Sequence, residues 1–533
     1  MEKSFKEFLV CITFSFVLFF FTVSTTCSED GMGTLNVDIE ISTTSLHEWM
    51  PSVTYNPVEN EFLALWHTTG IREEGGENMY SLHAQRISPD GTLQGESFSP
   101  LLSVGTGRRL LPKAAHNVFT NQYMVVFCME QVTTGWDPFV TIIDKEGTIL
   151  SGPIVLSEQP TNANHGSIVF NSVRREYLVA YNDKRNGEHD VFGVILDENG
   201  SIVKEDFAIC TAEGEQQNPF VCYNPTDDTY LLNWEDFRHV SSWQEPGDIY
   251  GILLDGKGEI IADDIPMVDD HGNANEGGQW LNNIAYNPDK NEFLVSWMDT
   301  RPSMENVGIV GRIINSVGVP AGADFILVDD APGAQFWHQT VYLQERKMYC
   351  AIWQDGRNDD PNVDVLKEVN SDIYAKWLDS TGAPAAAEFS VCTEKNNQRY
   401  PVVAYSPVMD RLLFTWRDEL DEEVPGDGGS GHVTEAGGNI MGKIYGVPSF
   451  LTVRVVEQGT GAPVEGALAL VMGPSFPAIK LASVGGWFNV VENSQPNGTY
   501  LVVVVQLGYF PGILAVDYTG DPIQGTIEMN KWW

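Results

Sequence analysis

The sequence predicts an all-β fold, a seven-bladed β-propeller closed by an N-terminal strand and followed by a small Ig-like β-sandwich. Three observations predict it: a phrase that returns seven times, strand-like patterning inside each copy, and a change of character after residue 447. In each copy an aromatic or His residue is followed eleven positions later by an aromatic that closes a short apolar run. The pairs are Tyr55 and Trp66, His116 and Phe127, Phe170 and Tyr181, Tyr223 and Trp234, Tyr286 and Trp297, Tyr342 and Trp353, and Tyr405 and Trp416. First anchors lie 61, 54, 53, 63, 56 and 63 residues apart, so one supersecondary unit recurs with loops of varying length.

Within a copy the apolar residues alternate or form short β-branched and aromatic runs, with no stretch of helical periodicity. The fourth copy predicts four strands: Phe220–Tyr223, Thr229–Trp234, Asp248–Leu254 and Ile260–Val268. Between the first two lies Asn224-Pro225-Thr226-Asp227-Asp228, and between the last two Asp255-Gly256-Lys257-Gly258. Both are turn chemistry, because Pro presets φ and Gly accepts positive φ. Four antiparallel strands repeated radially are the plan of a propeller. The seventh copy lacks a fourth strand of its own before residue 448, and residues 33–43 are expected to supply it and close the ring.

The units as they stand, Tyr286-Asn287-Pro288, Asn291 to Trp297, Asp299 and Arg301, with Asp248-Ile249-Tyr250-Gly251, resemble the repeats of secreted microbial propeller proteins. The resemblance covers residues 33–447; it implies the fold and is nearly silent on activity. Residues 448–533 carry Leu451–Val456, Gly459 to Ala467, Gly485-Gly486-Trp487-Phe488, Gly498-Thr499-Tyr500-Leu501 and Gly508-Tyr509. This order resembles the carboxypeptidase regulatory-like, transthyretin-like sandwich, which implies a spacer or adhesive module without catalytic residues. Val-rich strands between Gly turns independently indicate a small sandwich.

The N-terminus has Lys3 and Lys6, an apolar stretch from Phe8 to Val23 and then small polar residues, the pattern of a secretory signal peptide over residues 1–27. The propeller is expected over 28–447. A secreted or cell-surface location, periplasmic or extracellular, follows. An uncleaved anchor and lipidation at Cys27 are the alternatives, and no other segment is long and apolar enough to span a bilayer. The formal charge is −42, with 31 basic against 73 acidic residues. Nucleic acid and anionic membranes are therefore poor partners. No cofactor is expected, although adventitious Ca²⁺ fits such acidity. Cys128, Cys210, Cys222, Cys350 and Cys392 fall within strands at no metal spacing and are expected to pack as thiols; a Cys210–Cys222 pair stays open.

Propeller geometry places the short turns on one face and the long loops, His67–Asn78, Phe237–Gly247, Asp270–Gly278, Gly356–Ser371 and Asp418–Gly438, on the other. Binding is expected on the long-loop face. The starts of the innermost strands, Trp49, Leu110, Asn164, Gln217, Trp280, Phe336 and Arg399, are expected to ring the channel mouth, with His165, Trp337 and Tyr400 adjacent. Trp49, His165, Trp280, Trp337, Arg399 and Tyr400 are the candidate ligand-binding residues, because aromatic faces with hydrogen-bonding groups suit a sugar or peptide. Plugging of the channel by these large side chains is the competing reading. Four Asp-x-Arg units (Asp183 and Arg185, Asp236 and Arg238, Asp299 and Arg301, Asp355 and Arg357) are expected to close their own hairpins by ion pairs rather than grip a carboxylate. The acidic loops 355–364 and 418–427 lack a calcium-loop order and are expected to be solvated. No residue is nominated as catalytic. The function expected is that of a non-enzymatic binding protein for a glycan, peptide or surface protein. A glycan-active hydrolase or lyase on the same face, and a structural component of an extracellular assembly, are the alternatives.

Overall fold

The computed structural model describes residues 35–532 except 44–46, 70–79, 102–108, 132–134, 158–163, 241–246, 269–277, 301–306, 329–332, 359–369, 420–437, 447–448, 473–476, 492–497 and 519–522. The expected signal segment, Cys27 and most of the long and acidic loops lie outside the described residues. Among the described residues, no helix is long and apolar enough to cross a membrane.

The chain begins with β1 (Leu35–Ser42) and then lays down four-stranded antiparallel sheets in order. The first is β2 (His47–Asn56), β3 (Glu61–Thr69), β4 (Tyr80–Ile87) and β5 (Leu93–Phe98). The second is β6 (Arg109–Asn117), β7 (Gln122–Gln131), β8 (Gly135–Asp144) and β9 (Ile149–Val155). The third is β10 (Asn164–Asn171), β11 (Glu176–Asp183), β12 (Asp190–Asp197) and β13 (Ile202–Cys210). The fourth is β14 (Gln216–Asn224), β15 (Thr229–Asp236), β16 (Asp248–Asp255) and β17 (Ile260–Pro266). The fifth is β18 (Gln279–Asn287), β19 (Glu292–Asp299), β20 (Gly308–Asn315) and β21 (Pro320–Val328). The sixth is β22 (Gln335–Leu343), β23 (Met348–Asp355), β24 (Asp372–Leu378) and β25 (Phe389–Cys392). The last, β26 (Gln398–Ser406), β27 (Arg411–Glu419) and β28 (Gly438–Gly446), takes β1 as its outer strand, with Leu35 opposite Gly446 and Asn36 opposite Tyr445.

The innermost strands touch in cyclic order, β2, β6, β10, β14, β18, β22, β26 and back to β2, which makes the arrangement propeller-like. Each second strand is apolar at almost every position because both of its faces are covered. In β15, Tyr230, Leu232 and Trp234 pack toward the third sheet, while Leu231 packs toward the fifth. The outer strands face solvent on their far edge and tolerate exposed Ile202, Ile260 and Ile261.

In most copies the first anchor of the repeat holds its own hairpin, whereas Tyr342 Oη donates to Asp289 of the neighbouring sheet at 2.6 Å. Tyr55 Oη donates to Asn60 Oδ1 at 2.9 Å, Tyr286 Oη to Asn291 Oδ1 at 3.0 Å and Tyr405 Oη to Asp410 Oδ1 at 2.9 Å. His116 Nε2 lies 3.1 Å from Asn121 Oδ1, so the imidazole meets the same partner that a tyrosine meets elsewhere. The accepting residues share a left-handed backbone, with φ of 53°, 52°, 52° and 54° for Asn60, Asn291, Asp410 and Asn121. At the other short turn the expected glycine is required: Gly258 has φ +75°, and Asp255 Oδ1 accepts from the amides of Lys257 and Glu259 at 2.8 and 2.9 Å.

Beyond the ring, β29 (Ser449–Glu457) joins β32 and β35 in one sheet. The second sheet has the order β31-β30-β33-β34, where β30 is Leu468–Met472, β31 Pro477–Leu481, β32 Trp487–Val491, β33 Gly498–Val505, β34 Gly512–Tyr518 and β35 Ile523–Met529. Val453, Val455, Phe488, Val502, Val504 and Ile527 form the core between them. This unit docks on the β2–β3 turn: Arg454 Nη2 and Trp487 Nε1 both donate to Val58 O, at 3.1 and 2.9 Å, and Arg454 Nη1 reaches Glu59 Oε2 at 3.2 Å. It therefore sits at the short-turn end of the ring.

Candidate functional site

The Asp-x-Arg units are braces. Asp236 accepts from Trp234 Nε1 at 2.8 Å and from Arg238 Nε and Nη2 at 2.8 and 2.7 Å, and Arg238 reaches on to Asp264 of the outer strand. Asp355 and Arg357 repeat this at 2.7 Å, with Glu388 beyond, and Arg185 pairs with Asp183 at 2.8 Å and with Asp206. Each guanidinium also covers an aromatic ring, 3.8 Å from Phe192, 4.1 Å from Tyr250 and 3.7 Å from Tyr374. None of these three arginines is presented to a ligand; Arg301 lies outside the described residues. The five described cysteines are unpaired in disulfides, and burial pushes the Cys210 and Cys222 thiols up to about 11 and 12.

The channel is organised by a bulge in all seven innermost strands. In β2 the register passes from Trp49 opposite His67 to Ser52 opposite Leu65, and the same shift follows Leu110, Asn164, Gln217, Trp280, Phe336 and Arg399. One extra residue enters the strand, and the next residue turns left-handed: Met50, Leu111, Asn218, Leu281, Trp337 and Tyr400 have φ between 45° and 58°. This corrects the expected mouth ring by one position. The cavity along the axis, about 460 Å³, is lined by Met50, Leu111, Asn218, Leu281, Trp337 and Tyr400 and by residues deeper in the strands. That volume is of ligand-pocket size.

Of the six candidates, Trp337 and Tyr400 line this cavity, their rings 4.8 Å apart and edge to face. Trp49 stands one step back, 5.9 Å from the Tyr400 ring, and stacks on the Arg417 guanidinium at 3.7 Å. Trp280 packs among Met298, Ala334 and Phe336. Arg399 lies 3.3 Å from Glu419, which also accepts from Arg417 Nη1 at 2.8 Å. His165 belongs to β10, but its side chain lies outside the described residues. The channel is open enough for a cavity, so plugging is incomplete.

The bulge also sets a second ring, which the sequence reasoning missed. Opposite the bulged residues stand His67, Cys128, Asn182, Glu235, Met298, Gln354 and Arg417, each one residue after the second anchor. All are buried, in a run that is otherwise apolar. Glu235 and Arg417, charged residues inside β-branched and aromatic strands, are the signal that could have revealed them. Burial, with the Arg417 charge second, pushes His67 down to about 3.

Glu235 has the most chemical potential of this ring. It is 4% exposed, and Oε1 accepts the Leu281 amide at 2.8 Å. Burial pushes its carboxyl up to about 7, against the opposing effect of the Leu281 amide and the Asn218 side chain. Asn218 and Leu281 are both cavity residues, so this carboxyl lies one layer behind the wall. A carboxyl that changes protonation near neutrality is what general acid–base work requires. Among the described residues, no group of three His, Cys, Asp or Glu side chains could hold a metal ion.

No protein-family model matches the chain, and no curated protein matches it by sequence. Among solved structures it is similar to a protein of unknown function from Dyadobacter fermentans (11% identity, 78% of this chain and 99% of that one, TM-score 0.46). It is similar to an α-L-arabinanase from Penicillium chrysogenum complexed with arabinobiose (8%, 77% and 98%, TM-score 0.43). It is also similar to a Hadza microbial sialidase (10%, 58% and 64%, TM-score 0.41). The expectation of a non-enzymatic binding protein is corrected here: two of these three neighbours are named as glycan-acting enzymes. Likenesses this distant assign no substrate or residue role to this chain.

Proposed function

We propose that the protein is a secreted or cell-surface glycan-active enzyme, a hydrolase or lyase, working at the bulged end of the channel of a seven-bladed propeller. Residues 1–27 are its signal peptide, 28–447 the propeller, and 448–533 a carboxypeptidase regulatory-like sandwich that spaces or attaches it. The observation that carries this reading is Glu235, a buried carboxyl raised to about 7 directly behind cavity residues Asn218 and Leu281. Glu235, standing behind the wall, is the candidate general acid acting through one intervening water, and the Trp337 and Tyr400 faces are the candidate sugar platform.

The test is turnover of a panel of neutral and acidic oligosaccharides by the purified chain and by Glu235→Gln. A carboxyl acting on the scissile bond is worth about 10²- to 10⁴-fold, so the variant should lose activity on that scale while melting no lower than the parent. Lack of turnover across the panel would remove the enzyme reading, and full activity in Glu235→Gln would remove Glu235 from it.

A second reading concerns the sandwich. The outer face of its four-stranded sheet presents Leu468, Met472, Leu501, Val505 and Ile513, between 36% and 66% exposed and adjacent in register. Contiguous exposed apolar faces mark contact surfaces, which favours a role in assembly alongside catalysis. Sedimentation across a concentration series, with Leu501→Lys and Ile513→Lys as controls, tests self-association through it.

A further inference from the structure

We propose that the axial cavity is an anion site in which Lys113 receives the carboxylate of an acidic sugar residue. The chain has 73 acidic residues against 31 basic ones, yet none of the residues lining the cavity is Asp or Glu, and Lys113 is the single Lys or Arg among them. Random placement of charge in so acidic a chain would put carboxylates there first.

The ammonium reaches across the channel. Lys113 belongs to the second sheet, and its Nζ lies 5.7 Å from the centroid of Phe220 in the fourth. That is near the outer limit of a cation–π contact. Among the described residues it has no hydrogen bond and no ion pair, although an ammonium carries three donors. Burial pushes it down to about 8, which is the cost of leaving such a group without a counter-charge. A carboxylate would supply that counter-charge.

The rest of the lining fits the remainder of such a ligand. Trp337 and Tyr400 offer aromatic faces, while Asn218, Asn282 and Gln339 offer amides. Asn282 Oδ1 is buried with no hydrogen-bond partner, an acceptor suited to a sugar hydroxyl. His338, pushed down to about 4 by burial, adds no competing charge. The cavity of about 460 Å³ has room for a monosaccharide-sized acid. The inference rests on the glycan-active reading for the sugar and stands apart from it for the anion.

The experiment titrates glucuronate and galacturonate, with glucose, acetate and phosphate as controls, into the full chain while tryptophan fluorescence and melting temperature are followed. Lys113→Gln, Lys113→Arg and Glu235→Gln are compared. The uronates should bind, glucose should bind at least tenfold more weakly, and Lys113→Gln should weaken the uronates at least tenfold, with Lys113→Arg restoring part of the loss. Uronate affinity equal to that of glucose, or unchanged in Lys113→Gln, overturns the proposal. Equal binding of acetate, phosphate and uronates overturns the sugar-acid class. Turnover of neutral glycans without uronate binding would sink this inference and spare the enzyme reading, whereas uronate binding without turnover of any glycan would do the reverse.

Discussion

Ser406 Oγ donates to Asn60 Oδ1 across 3.0 Å, joining the last sheet to the first over 346 positions of chain. Three other junctions use asparagine for the same purpose. Asn56 Nδ2 donates to Asn121 Oδ1 at 3.0 Å, Asn171 Nδ2 to Asp228 Oδ1 at 2.7 Å and Asn224 Nδ2 to Asn291 Oδ1 at 2.8 Å. Each of these amides also folds its own turn, as Asn224 Oδ1 does by accepting the Thr226 amide at 2.8 Å. Removing Ser406 loses the junction bond together with the hydroxyl's contact to the Met409 amide at 3.3 Å. A net hydrogen bond is worth about 1 kcal/mol, so Ser406→Ala should lower stability by that order. Asn224→Ala, which removes a junction bond and two turn contacts, to the Thr226 and Asp227 amides at 2.8 and 3.3 Å, should cost more. Urea melts of the two variants check the ranking, and equal costs would show that the junction amides are only turn formers.

Why the repeat was legible and the bulge was not follows from this device. Tyr55, Tyr286 and Tyr405 recur because a hydroxyl must reach a turn residue five positions on, and such spacing is visible in the chain. The bulge leaves no comparable mark. Left-handed turns are usually announced by Gly or Asn, but here Met50, Leu111, Leu281, Trp337 and Tyr400 adopt them under the constraint of the ring. Their places at the starts of the innermost strands therefore put Trp49 and Trp280 at the expected mouth, where Met50 and Leu281 line the cavity. Glu235 was overlooked because acids are common in this chain; its burial, which a sequence does not display, is what separates it from the rest.

The ionisation of Glu235 should be visible in stability. Unfolded, the carboxyl releases its proton near 4.5; folded, burial holds it to about 7. Between those values the folded chain binds the extra proton, so stability falls as pH rises, with the favourable contribution whole below 4.5 and gone above 7. The loss is on the order of 3 kcal/mol. Glu235→Gln keeps an acceptor for the Leu281 amide and cannot ionise, so relative to the parent it should gain stability between pH 4.5 and 8. Parallel stability curves for the two proteins over that range would contradict the assignment.

Asp236 should matter to folding and not to turnover. Its side chain is fully buried beneath Arg238 and accepts the Trp234 indole as well. Breaking a buried pair by removing one partner costs about 3–5 kcal/mol, and Asp236→Ala should fall in that range. Asp355→Ala should behave alike, and because the two braces lie in different sheets their costs should add. Denaturation of the single and double variants tests this, while the folded fraction of each should keep its specific activity.

Trp49 and Trp337 should separate architecture from ligand contact. Trp49, partly exposed like Trp337, lies over the fully buried Arg417, so Trp49→Ala uncovers that guanidinium's face and should cost about 3 kcal/mol. Trp337 is partly exposed on the cavity wall, and Trp337→Ala should spare more of the stability while weakening sugar binding by roughly tenfold or more, the loss of one stacking face. The same ratio of effects in both variants would mean that the cavity wall is core and the ligand sits elsewhere.

The sandwich should be separable from the site. Gly485 has φ +78°, and a Cβ there would lie 2.5 Å from Val58 O, on the very turn that Arg454 and Trp487 grip. Any side chain must push the two units apart as well as strain its own backbone. Gly485→Ala should therefore split thermal unfolding into two transitions, the sandwich melting first, because its remaining core is its own Val453, Phe488 and Val502 cluster. The candidate site lies at the opposite end of the channel from the Val58 turn, so glycan turnover at 25 °C should be unchanged. Calorimetry and the activity assay on one preparation decide it: loss of turnover with the propeller transition intact would place part of the working site at the junction, and a single undivided transition would show that the docking tolerates the methyl group.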